Sequence, residues 1–154
     1  MVDEPQQAFT SAVFYRDPMA ALDWLAQAFD FERTMLITDE NGNLSHSQMS
    51  YGGGQIMVGT EWAENRKSPA SLGGNCTQTI RVEVEGDIDA HFARAVAAGA
   101  VIEAVPEDQF YGARVYRVLD PEGHAWAFTK TVRYVSREDA EKASGLRIEG
   151  WADA

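Results

Sequence analysis

Three histidines, one cysteine and a few arginines are the side chains of this 154-residue chain best suited to chemistry. His46 lies in Leu44–Tyr51, a segment that alternates as a strand does. Ser47, Met49 and Tyr51 would share one face of it, leaving His46, Gln48 and Ser50 on the other. A histidine so placed is either an acid or base at neutral pH or a pocket-wall residue that only hydrogen-bonds. No carboxylate partner can be named for it, which favours the second reading. His124 follows the turn Asp120-Pro121-Glu122-Gly123 and reads as a structural residue bonding the turn backbone. His91 stands beside Arg94 on the helix face opposite Phe92 and is expected in solvent. Three histidines that do not cluster argue poorly for a metal. Cys76 has no basic neighbour in sequence that would make it a nucleophile.

The second half supplies Arg81 on a strand face with Thr79 and Glu83, and a hairpin carrying Tyr111, Arg114, Tyr116 and Arg117. An arginine near a cleft clamps an anion bidentately or pairs with acidic neighbours, and both readings stay open here. Trp62 could lid a cleft by stacking on an aromatic ligand, or plug the junction between two units. An apolar pocket with a few placed polar groups is the usual pattern of a ligand site. The candidate ligand-binding set is therefore His46, Gln48, Trp62, Arg81, Tyr111 and Arg114. No catalytic residue is assigned.

The elements that position these residues repeat. Phe9–Tyr15 reads as a strand, and Asp17-Pro18 as a cap and first residue of a helix whose apolar stripe is Met19, Leu22, Leu25, Ala26 and Phe29. Phe31–Thr38 and Leu44–Tyr51 flank Asn41-Gly42, a hairpin signal, and Gly52-Gly53-Gly54 leads into a fourth strand. Glu61–Asn75 has the composition of a linker. The pattern then returns: strand Thr79–Val84, a helix capped by Asp87 with stripe Ile88, Phe92, Ala95 and Val96, then strand Ala100–Val105 and the hairpin Asp108–Phe128. Asp17 to Asp87 and Gly53 to Gly123 both span 70 residues (87 − 17 and 123 − 53), so a βαβββ unit occurs twice. A capping box at Ser136–Asp139 predicts a short third helix, and Trp151 is expected to dock the tail.

Composition bounds the function. A hydrophobic fraction of 45% argues a folded globule, and no apolar run approaches the roughly 20 residues that span a bilayer. The net charge of −11 counts against nucleic acid, whose phosphates demand a basic face. A single cysteine excludes an internal disulfide, and no basic and apolar leader opens the chain, so a cytoplasmic protein is expected.

The order of YRDPMAALDWLAQAFDFE, the Asn-Gly hairpin, VEGDIDAHFARAVAAGA and YGARVYRVLDPEGHAWAF resembles the vicinal oxygen chelate superfamily, over about residues 8–131. More narrowly it is similar to the glyoxalase/bleomycin-resistance/dioxygenase group. The resemblance implies an α+β fold of two tandem βαβββ modules, residues 8–60 and 77–131, forming curved mixed sheets around a cleft. Residues 61–76 would be the linker and 132–154 a tail. Metal-using members place a ligand on the first and last strand of each module. Those places fall here near Thr10, at Gln78, Thr79 or Ile80, at Met57 and at Ala127, and they offer no adequate donor set. The resemblance therefore implies a metal-independent small-molecule-binding protein of the drug-sequestering type, a homodimer with no cofactor. The alternative is a lyase or dioxygenase using an unusual ligand set such as His46, Gln48 and Gln78.

Overall fold

The computed structural model describes residues 7–151. It contains two four-stranded mixed sheets. β1 (Ser11–Tyr15), α1 (Pro18–Phe29), β2 (Glu32–Thr38), β3 (Leu44–Tyr51) and β4 (Gly54–Thr60) form the first module. β5 (Thr79–Glu83), α2 (Ile88–Ala97), β6 (Val101–Asp108), β7 (Ala113–Leu119) and β8 (Ala125–Thr131) form the second, and α3 (Arg137–Ser144) follows. The strand orders are β1-β4-β3-β2 and β5-β8-β7-β6, with β1 parallel to β4 and β5 parallel to β8. The α+β fold of paired βαβββ modules is as expected, but the sheets are not closed around one cavity.

Each helix begins and ends as its residues dictate. The Asp17 side chain accepts the Ala20 amide, Pro18 takes the first position, and Asp30 stops α1 in the left-handed region at φ 65°. Asp87 accepts the Asp89 and Ala90 amides at the start of α2. The helices pack against each other, and side chains from both modules fuse into one core that includes Leu22, Leu25, Phe29, Met49, Val84, Tyr116, Trp126 and Phe128.

Two expectations about α2 are corrected. His91 is buried, not solvated. The Tyr116 hydroxyl donates to its Nδ1 at 2.6 Å and its Nε2–H donates to the Phe29 carbonyl at 2.9 Å, so a neutral ring bridges the end of α1 to β7. Val96, expected inside, is 40% exposed. The helix turns His91 inward, where it finds one partner on α1 and one on β7, and a satisfied polar group can be buried.

The modules are clasped at the β7–β8 turn. Asp120 is buried, with Oδ2 accepting the Tyr15 hydroxyl and the Trp126 indole N–H, and Oδ1 accepting the backbone N–H groups of Glu122 and His124. The Glu122 carboxylate accepts the amides of Arg16 and Asp17 and the Ser68 hydroxyl. His124 donates from Nε2 to the Phe14 carbonyl at 2.7 Å; it is structural, but its partner is β1 rather than the turn. The linker is held as well: Glu61 accepts the Ser68 amide, and Pro69 in a single 3-10 turn packs over Gly123.

Candidate functional site

The strand registers carry single rows of side chains across each sheet, because paired residues share a face. In the first sheet one row on the face away from α1 runs Met35, Gln48, Met57, Ala12. His46 lies on the same face two residues from Gln48, paired with Ile37. The Gln48 side-chain amide donates to His46 Nε2 at 3.1 Å, leaving Nδ1 as the ring nitrogen available to a ligand. Both are half-buried, while Met35 and Ile37 are 41% and 47% exposed. This face joins an apolar margin to a small polar patch.

The equivalent row in the second sheet is Ala104, Arg117, Ala127, Arg81. Its surroundings differ. Ala113, Val115, Ala127 and Thr129 point away from α2 and yet are buried. The C-terminal segment lies beside the start of β7: the Gly112 carbonyl accepts the amides of Val132 and Arg133, and α3 follows with Ala140 buried. Ser136 caps α3 at Asp139, and the Trp151 indole donates to the Val135 carbonyl, so the tail is docked as its sequence suggests. Ala104, Arg117 and Arg81 of this row are exposed all the same, so both sheets keep an open face, and the first is the one that carries His46 and Gln48.

The remaining candidates are dispersed. Arg81 donates to Thr129 Oγ1 at 3.4 Å and makes no ion pair among the described residues. Arg114 is held by Asp89 at 2.9 Å and Asp108 at 3.2 Å, and these hydrogen-bonded carboxylates raise its pKa further. Tyr111 packs edge-on against Phe110 in the β6–β7 turn. Trp62 is 67% exposed with the Arg66 guanidinium 5.8 Å from its ring centre. The structure thus brings His46 and Gln48 together, sets Arg81 and Arg114 on opposite faces of the second sheet, and places Tyr111 and Trp62 in connecting segments.

The metal places of the resemblance can now be tested on this donor set. Met57 pairs with Ala12, two residues beyond Thr10, and Ala127 pairs with Arg81, two beyond Thr79. Two hydroxyls, a thioether and an alanine do not fit a divalent ion, and a guanidinium in register with Ala127 would repel it. Among the described residues no three His, Cys, Asp or Glu converge.

Sequence signals missed the two groups that organise the interior. Asp120 reads as a turn residue and His91 as a surface residue; of their partners Tyr15, Phe29 and Tyr116 are remote in sequence, and only Trp126, six residues past Asp120, is near.

Paired βαβββ modules, each a four-stranded mixed sheet covered by a helix, place the chain in the glyoxalase-like fold class. The chain belongs to the Glyoxalase/Bleomycin resistance protein/Dioxygenase superfamily, whose model matches residues 8–128. It is 32% identical over 138 residues to an uncharacterized protein of Mycobacterium tuberculosis, covering 87% of this chain and 80% of that one. Among solved structures it is similar to TioX from Micromonospora sp. ML1, with 35% identity, a TM-score of 0.67 and coverage of 82% of this chain and 100% of that one. A superfamily member from Sphaerobacter thermophilus aligns with 22% identity and a TM-score of 0.62, covering 80% of this chain and 98% of that one, and shares the fold.

Proposed function

We propose that the protein binds a small organic molecule on the open face of its first sheet without turning it over, and does so as a homodimer. The observation that carries this reading is the row Met35, Gln48, Met57, Ala12 with His46 beside it: apolar walls around one hydrogen-bonding patch. Such a face can hold a flat organic compound, and its polar groups, an imidazole and an amide with no carboxylate beside them, make no acid–base pair.

The dimer follows from the edges. Met35, Leu36 and Ile37 on β2 and Val101, Ile102 and Val105 on β6 are all exposed, and both strands are sheet edges. Unpaired edges carrying apolar side chains call for a covering partner, and a second copy related by a twofold axis covers both at once. That copy would also wall the open face. Arg81, Arg117, Tyr111, Arg114 and Trp62 are then contributors from the second module or the linker of either copy. The net charge of −11 would steer a cationic drug toward the dimer, with salt weakening the effect.

The test is titration of the purified protein with bleomycin and with simple aromatic compounds, by calorimetry. Binding that falls at least tenfold in a His46→Ala, Gln48→Ala double variant supports the reading. Turnover of a glutathione adduct or a catechol that a chelator abolishes and added metal restores would overturn it in favour of a lyase or dioxygenase.

A further inference from the structure

Ala127 occupies one of the last-strand metal places of the resemblance, and the strands on both sides bring an arginine into register with it. Arg81 on β5 and Arg117 on β7 each pair with Ala127 on β8. Paired residues share a face, so both side chains rise on the open side of the second sheet with one alanine between them. Neighbouring strands lie about 4.8 Å apart, which sets the two arginine Cα atoms roughly 10 Å apart, a gap that two such long side chains can close. The first sheet has Gln48, Met57 and Ala12 in the same row, with no charge.

The surroundings leave this pair of cations uncompensated. Acidic residues outnumber basic ones 24 to 13, and Arg33, Arg94, Arg114, Arg137 and Arg147 each have a carboxylate partner. Arg81 and Arg117 have none among the described residues. Arg81 leans over β8 toward Arg117, donating from Nη2 to Thr129 Oγ1 at 3.4 Å. Ala127 and Thr129 are buried and both arginines are exposed, so the former are a floor and the latter its walls. Two carboxylates share this face one pleat further along: Glu83, paired with Thr129, and Glu107, paired with Val115. Glu83 accepts the Thr131 amide at 3.3 Å instead of meeting a guanidinium. On the other side of the arginines the row Thr79, Ala125, Leu119 is neutral, with Ala125 and Leu119 half-buried.

We propose that Arg81 and Arg117 hold the oxyanion of a small organic acid above Ala127, in a place that the resemblance assigns to a metal cation. A carboxylate or phosphoryl group accepts paired N–H bonds from a guanidinium fork, and two forks converge here on one point. The methyl group of Ala127 leaves room above the strand that a longer side chain would fill. The organic body then lies over Ala125 and Leu119, because Glu83 and Glu107 repel a negative ligand from the opposite side. This site extends the ligand-face reading from the first sheet to the second, and either can fail without the other.

Benzoate and phenyl phosphate are the probes, with benzyl alcohol and benzylamine as neutral and cationic counterparts. Amide signals of the isotope-labelled protein should move at residues 79–81, 117–119 and 125–129. At least one anion should bind tenfold or more tightly than the alcohol and the amine, and the better anion tells a carboxylate ligand from a phosphoryl one. Arg81→Gln and Arg117→Gln, both at exposed positions, should each weaken that anion at least tenfold, and added salt should weaken it in the parent. An effect confined to one of the two variants would overturn the paired clamp. Shifts confined to His46, Gln48 and Met57 would overturn the second-sheet site while leaving the first-sheet reading intact. Tighter binding of the amine, or no binding of either anion, would also overturn it.

Discussion

The hydroxyl of Tyr15 on β1 donates to the carboxylate of Asp120 at 2.6 Å, across 105 residues of chain, with both groups buried. Burial and the adjacent carboxylate together raise the Tyr15 pKa well above its ordinary value, so the phenol stays protonated and keeps donating. With Trp126 and two backbone amides on the same carboxylate, this bond fixes how the two modules meet.

Removing either partner should therefore loosen the module junction. Tyr15→Phe leaves Asp120 one donor short and should cost about 1–3 kcal/mol. Asp120→Ala strands four donors at once and should cost more, about 3–5 kcal/mol. Urea unfolding monitored by tryptophan fluorescence checks both, and an Asp120→Ala protein as stable as the parent would contradict the clasp.

His91 predicts a pH dependence. Burial lowers its pKa from the ordinary 6.5, with the Phe29 carbonyl opposing and Arg94 adding to the effect. Between the folded pKa and about 6.5 the unfolded chain binds the extra proton, so stability rises with pH there and is lost as pH falls through that window. Comparing unfolding free energies of the parent and His91→Gln from pH 7.5 to 5 isolates this group. The advantage of the parent should shrink steadily below about pH 6.5.

Gly112 should tolerate no side chain. Its φ is +94°, and an added Cβ would collide with the Arg133 carbonyl and press on Val135. Gly112→Ala is expected to destabilise by several kcal/mol, or to detach the C-terminal segment. Proteolysis releasing residues beyond 132 from the variant, but not from the parent, would report the second outcome.

The exposed edge strands predict association. Light scattering at micromolar concentration should give twice the 17.0 kDa of one chain. Placing charges on β2 and β6 with Ile37→Asp and Ile102→Asp should lower the mass to that of one chain. A parent protein monomeric under these conditions refutes the dimer.

Local signals carried most of the architecture. Asp17-Pro18, Asp87, Ser136 and Gly145 mark helix ends by chemistry within one turn, and all lie where their side chains or left-handed φ act. Period-two alternation set the faces of Leu44–Tyr51, with Ser47 and Met49 buried and His46 and Gln48 on the other side. The 70-residue spacing of the caps and turns disclosed the duplication.

Register was not legible. The strand pairing sets β1 and β5 69 residues apart, since Ser11 faces Ile56 and Ile80 faces Trp126 (80 − 11), so Thr79 is the counterpart of Thr10. Hydrogen bonding between strands decides that, and no single strand encodes it. The same holds for the polar interior. A histidine beside an arginine, or an aspartate before a proline, is cheapest in water when judged by its neighbours in sequence. Only the tertiary fold brought Phe29 and Tyr116 to His91, and Tyr15 to Asp120, and so made their burial favourable. A cavity lined by Gly52, Gly53 and Gly54 of the first module and by Ile80, Val82 and Trp126 of the second has the same origin: the glycines read as a turn, and the space beside them exists only because a second module stands opposite.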